Sequence, residues 1–239
     1  MTTSARGAPP VALVTGATRG LRLAIARELG RDHHVLVGGR ELSAVARVVA
    51  ELPSASPFVA DLADEEALAR AFAEAAARVG RMDVLVHNAG VATHADIEAS
   101  DRSLWRSTFE VNVVAVADLT RLALPVLRAS AGTLILVNSG AGVRIYPGQV
   151  AYTASKWALR ALTECVREQE RGRIRVTAVH PGRIDTDMQV ALQTQAGRGY
   201  DPADHMSPLD VARAVRAAVD MPAGASIDEI HMRTTEAKS

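Results

Sequence analysis

The chain is poor in cysteine, carries no net charge and has no long apolar run, and each shortage removes a class of protein. Cys165 is the single cysteine among 239 residues. An internal disulfide cannot form, which favours a reducing compartment and predicts a cytoplasmic protein. Lysine plus arginine equal aspartate plus glutamate at 27 each, a balance that gives no reason to expect nucleic acid or an anionic membrane surface as partner. No uninterrupted apolar stretch approaches the roughly 20 residues of a membrane span. The seven histidines show no ligand spacing such as HxxxH and the lone cysteine adds none, so no catalytic metal is expected. The opening "MTTSARGAPP" has no apolar signal-like core, and residues 1–9 read as a flexible tail.

What is present is core material, 48% hydrophobic residues, in a regular alternation. The runs "VALVT", "HVLVG", "PFVAD", "DVLVHN", "TLILVN", "RVTAVH" and "IDEIHM" read as strands. Most are continuously apolar, as expected for strands covered on both faces. Between them, helical patterns fall near 21–30, 41–51, 64–79, 102–129, 149–170 and 208–220. Asp64, followed by Glu65 and Glu66, supplies the negative start that a helix N-terminus favours. Repeated strand–helix alternation predicts an α/β fold, a doubly wound parallel sheet flanked by helices on both faces. No linker or repeat divides it, so residues 10–239 are expected to form one domain.

In such sheets ligands sit beyond the carboxyl ends of the strands, at the switch point of the winding. The strand tips here are "TGATRGLR", "GGR", "DLAD", "NAG", "NSGAG" and "HPGRIDTDM". Each alone reads equally well as turn punctuation; six in this order favour a site. The first runs from strand to helix through Gly16 and Gly20, as a phosphate cradle would, but Arg22 stands where a third glycine is expected. Lying inward, that arginine would block a cofactor; lying outward, it could reach phosphate or a neighbouring acid. The otherwise intact site favours the outward case.

Tyr152 and Lys156 in "YTASK" are four apart on a predicted helix and share a face. A free tyrosine ionises near pH 10, and a nearby ammonium favours the phenolate. Ser139, at a strand end, could polarise a substrate carbonyl, or be an ordinary turn serine. Asn112 is polar inside an apolar helical stretch. It could hold a water that links Lys156 to solvent, or make a structural hydrogen bond to a neighbouring strand.

With "TGATRG", "DLAD", "HNAG", Asn112, "NSGAG", "YTASK" and "HPGRIDTDM" in this order from Val11 to about Met188, the chain resembles the short-chain dehydrogenase/reductase family, single-domain type. The resemblance implies a Rossmann-like fold and hydride transfer between a nicotinamide and a carbonyl or alcohol. It implies Tyr152 as general acid in reduction, Ser139 orienting the carbonyl, Lys156 on the nicotinamide ribose and Asn112 completing a proton relay. Gly16, Thr18, Gly20 and Leu21 would lie along pyrophosphate and ribose, Asp61 and Leu62 beside adenine, and Asn88, Ala89 and Gly90 along the inner edge. Pro181, Gly182, Ile184 and Thr186 would hold the nicotinamide end. Relatives commonly pair through the two long helices, implying a homodimer or homotetramer. His87 replaces the usual asparagine before "NAG", and Asn138 a common serine.

An NAD-selective fold places an acid after the second strand. Here Gly39 and Arg40 stand there, with no carboxylate to repel a 2′-phosphate. Arg40 and Arg19 together favour NADP(H), and hence carbonyl reduction. His94, Ile145, Tyr146, Met188, Leu192 and Tyr200 are the expected substrate walls, suited to a modest apolar or aromatic ketone. Trp157 is expected in the core or a subunit interface. The competing reading is an NADP(H)-binding sensor with little turnover, its cradle damaged by Arg22.

Overall fold

The computed structural model describes residues 8–235; most of the expected tail, residues 1–7, lies outside the described residues. The seven apolar runs form β1 (Val11–Val14), β2 (His34–Gly39), β3 (Ala55–Val59), β4 (Val84–His87), β5 (Thr133–Val137), β6 (Arg175–Pro181) and β7 (Glu229–Met232). All neighbours pair in parallel, in the order β3-β2-β1-β4-β5-β6-β7. The winding reverses between β1 and β4, and their carboxyl ends open the switch-point crevice.

Strand pleating sorts the core. On β1, Ala12 and Val14 join one apolar cluster, whereas Val11 and Leu13 join the other. The first cluster takes the buried stripes of α1 (Gly20–Leu29), α2 (Leu42–Glu51) and α8 (Pro208–Val219). The second takes those of α3 (Glu65–Val79), α5 (Ala115–Ala129) and α6 (Val150–Gln169). Both sheet faces are therefore covered, which explains why β1, β4 and β5 are buried at every position. Asp64 caps α3 as expected, accepting from the Ala67 N–H.

Three local features depart from the expected pattern. The segment 102–129 is not one α-helix: α4 (Arg102–Phe109) passes through a π-turn, Glu110–Val114, into α5. A further helix, α7 (Asp187–Gln195), is capped by Thr186 just beyond β6. β3 begins at Ala55 rather than Pro57, and as an edge strand it tolerates a proline.

Candidate active site

The crevice is tied together at its base by Thr15. Its hydroxyl accepts from the Asn88 and Ala89 N–H groups at 3.0 Å each and donates to the Val86 carbonyl at 3.3 Å. The chain then turns through Gly16 and Gly20, both left-handed at φ 67° and 54°, a conformation that glycine adopts without the Cβ penalty. At the start of α1, Arg19 is extended and provides no side-chain cap, and no acid stands in the first turn. The open N–H groups and the helix dipole suit an anion.

On the other side of the crevice, Ser139 lies just beyond β5 and accepts from the Ala141 N–H at 3.1 Å. Tyr152 lines the same cavity wall as Ser139. One turn along α6, Lys156 donates to the Val137 carbonyl at 3.2 Å, its ammonium 5.8 Å from the Tyr152 ring centre. Burial raises the Tyr152 pKa, opposed by the neighbouring Ser139 hydroxyl and the charge of Arg22. Burial, with Arg22 again adding to it, lowers Lys156 to about 7. The expectation that Lys156 draws Tyr152 down therefore needs correcting: desolvation dominates, and the cation acting on the phenol is Arg22. A phenol kept protonated at neutral pH suits a proton donor.

Asn112 is buried in the π-turn. Its amide donates to the Val91 carbonyl at 2.9 Å and to the Ser155 hydroxyl at 3.0 Å, and its oxygen accepts from the Val91 N–H at 2.9 Å. The side chain thus makes structural hydrogen bonds, to the loop after β4 and to α6 rather than to a neighbouring strand. His87 bonds through Nε2 to the Thr120 hydroxyl at 2.9 Å. That hydroxyl donates to the Val116 carbonyl, so the histidine nitrogen must be the donor. The histidine joins β4 to α5.

Two cavities share this crevice. One, of about 220 Å³, is walled by Ser139, Tyr152, Lys156, Asn88, Leu21 and the Pro181–Ile184 segment, with Thr186 from the start of α7. The other, of about 250 Å³, is walled by Gly16, Thr18, Gly39, Arg40, Asp61, Leu62 and Ala89. Arg19, Arg22 and Gly90 line both. Arg22 lies inward, against expectation: its guanidinium donates to the Gly90 carbonyl at 2.9 Å. Glu41 also lines the second cavity, so the expectation of no carboxylate near Arg40 needs correcting. Sequence reasoning stopped one residue short of it.

Of the expected substrate walls, Tyr146, Met188 and Leu192 line the first cavity. Three do not. Ile145 is 71% exposed. His94 packs over Gly148, and its N–H donates to Gln195. Tyr200 donates to Asp185 and stacks on His205. In their place stand Gln149, Gln189, Gln193 and Arg198, a more polar wall than expected. Polar residues on α7 were invisible as wall residues because that helix was not anticipated.

Spacing in the chain also concealed a cluster that the sheet assembles. His180 on β6 neighbours His231 on β7 in register, and Glu229 completes a group with ligand atoms within 4.8 Å. The two rings are stacked within 7° of parallel, so they do not aim in-plane lone pairs at one point. Arg160 lies 3.5 Å from Glu229 and already answers its charge.

Residues 10–197 match the short chain dehydrogenase family. Human dehydrogenase/reductase SDR family member 11 is 33% identical over 245 residues, covering 95% of this chain and 94% of its own. An alcohol dehydrogenase of the archaeon Thermococcus sibiricus, solved with 5-hydroxy-NADP, superposes with a TM-score of 0.87 at 26% identity, over 96% of this chain and 98% of that one. A metagenomic short-chain oxidoreductase in complex with NADP gives a TM-score of 0.81 at 29% identity, over 96% and 99%. The chain belongs to the short-chain dehydrogenase/reductase family. It is an oxidoreductase of that family, which acts on CH–OH groups with a nicotinamide cofactor. The site fits such a group: the α1 N-terminus is open, Gly16 holds its left-handed turn, and buried Asn88 Nδ2 has no hydrogen-bond partner among the described residues.

Proposed function

We propose that the protein is an NADP(H)-dependent reductase of small or medium ketones, able to run in reverse as an alcohol dehydrogenase, with residues 10–239 acting as one domain. The observation that carries this reading is that Ser139, Tyr152 and Lys156 converge on the wall of one cavity large enough for a small substrate.

A bound reduced nicotinamide would supply hydride to the carbonyl carbon. Ser139 and Tyr152 hold the carbonyl oxygen between their hydroxyls. Tyr152 passes its proton to that oxygen as negative charge develops there. Ser139 steadies the phenolate left behind, and Lys156 would hold the nicotinamide ribose. Asn112 keeps the loop after β4 in place. Arg40 and Arg19 favour a 2′-phosphate, and Glu41 opposes it. The polar wall from α7 suits a ketone carrying hydrogen-bonding groups. Val114 and Trp157, half and 41% exposed on the π-turn and α6, support a homodimer or homotetramer built on these helices.

The test is a ketone panel with NADPH and NADH, following nicotinamide absorbance. Turnover with NADPH preferred is expected. The inward pose of Arg22 favours the second reading, a protein that binds NADP(H) with little turnover. Stoichiometric binding of NADPH with no turnover on the panel selects it.

A further inference from the structure

Arg22 lies where the two cavities of the crevice meet. Its Cδ lies 3.0 Å, and one guanidinium nitrogen 3.3 Å, from where a Cβ on Gly16 would stand. The side chain therefore lies across the left-handed turn and fills the room that the glycine leaves. The other end is pinned to Gly90 at the tip of the β4 loop by the 2.9 Å hydrogen bond. Gly16 and Gly90 belong to the adjoining tips of β1 and β4, and the arginine runs between them where the two cavities meet. On one side of it are Arg40, Asp61 and Leu62; on the other are Tyr152 and Lys156.

The side chain is charged. Arg22 is partly buried beside the cations Arg19 and Arg40, and burial disfavours its ionised form. Among the described residues it has no carboxylate within ion-pair distance. A partly buried guanidinium answered by one carbonyl is an incompletely compensated charge. It has reason to move when an anion arrives, and it sits in the first turn of α1, where an anionic bridge would meet it.

We infer that Arg22 is a latch that divides the cofactor crevice, so that the adenosine end of the cofactor docks freely while the full dinucleotide is seated only after Arg22 releases Gly90. This rests on the NADP(H) reading above. Adenosine 2′,5′-bisphosphate needs only the cavity around Arg40. NADPH needs both cavities, and hence the release. Binding of NADPH should then take two steps, a fast encounter and a slower rearrangement whose rate saturates with concentration. The variant that restores the third glycine removes the second step.

Stopped-flow fluorescence with the intact protein tests this. In the wild type, adenosine 2′,5′-bisphosphate should bind in one fast phase and NADPH in two. In Arg22→Gly, NADPH should bind in one phase, at least about tenfold faster than the slow wild-type phase. One fast NADPH phase in the wild type overturns the latch, and so does a slow phase that persists in Arg22→Gly. The wild-type comparison of the two nucleotides stands even where the variant fails to fold. If neither nucleotide gives a saturable signal, the NADP(H) reading itself is wrong, an outcome distinct from nucleotide binding without a slow step.

Discussion

Burial acts on Tyr152 and Lys156 in opposite directions, and the difference sets what each can do near neutral pH. The phenol is pushed up and stays protonated; the ammonium is pushed down to about 7. Tyr152→Phe removes the transferable proton but keeps the ring, so reductase activity should fall by roughly 10²–10⁴. NADPH affinity should stay near wild type; a variant within a few-fold of wild-type activity would assign the proton to another group. Lys156 passes from charged to neutral as pH rises through about 7. An anionic nucleotide favours the charged form, so NADPH binding takes up a proton and its Kd should weaken between pH 6 and 8. In Lys156→Met that trend should vanish, which titration calorimetry in two buffers of different ionisation enthalpy can check. Arg40→Ala should narrow the NADPH-over-NADH preference by about tenfold, roughly 1.4 kcal/mol. Glu41→Gln should widen it. Ratios unchanged in both variants would remove these side chains from phosphate recognition.

At the scale of elements, the π-turn is where periodicity misled. An apolar stripe from 102 to 129 reads as one helix because a single extra residue in one turn barely disturbs the pattern. Its cause is tertiary: Asn112 is drawn inward to bond Val91 and Ser155, which lie far away in the chain. Such turns occur often at functional sites. Asn112→Ala leaves the Val91 N–H and carbonyl without these partners and should destabilise the fold by about 1–3 kcal/mol, read from urea denaturation midpoints. A loss below about 0.5 kcal/mol would mean that the loop finds other partners. α7 was missed for a different reason. Its stripe is weak, with only Leu192 buried, so its polar face reaches the cavity without leaving a strong periodic trace.

For the molecule as a whole, one buried histidine links stability to acid. His87 is held to about 3 by desolvation, against 6.5 unfolded. Its contribution is therefore complete above pH 6.5 and lost as pH falls toward 3, because the unfolded chain takes a proton that the fold refuses. The slope from this group is roughly 1.4 kcal/mol per pH unit at most. His87→Asn should flatten the decline of thermal stability between pH 6 and 4; an unchanged decline would shift the acid sensitivity to other groups. No helix among the described residues is long and apolar enough to cross a membrane.

The strand set, the parallel winding and the residues at the strand tips were all legible in the chain, because they depend on local composition and order. Continuous apolar runs mark strands covered on both faces, and polar tips mark their carboxyl ends. The tips that carry Ser139, Arg40 and Asp61 do line the crevice, as do Tyr152 and Lys156 from α6. What only the tertiary structure decided are matters of direction and of meeting. Whether Arg22 turned outward or inward depended on Gly90, 68 residues away. Glu41 entered the cavity through the start of α2, and His180 met His231 through strand register. A one-dimensional pattern fixes which face a residue occupies; it does not fix where a long side chain finds its partner, because that partner arrives from a distant part of the fold.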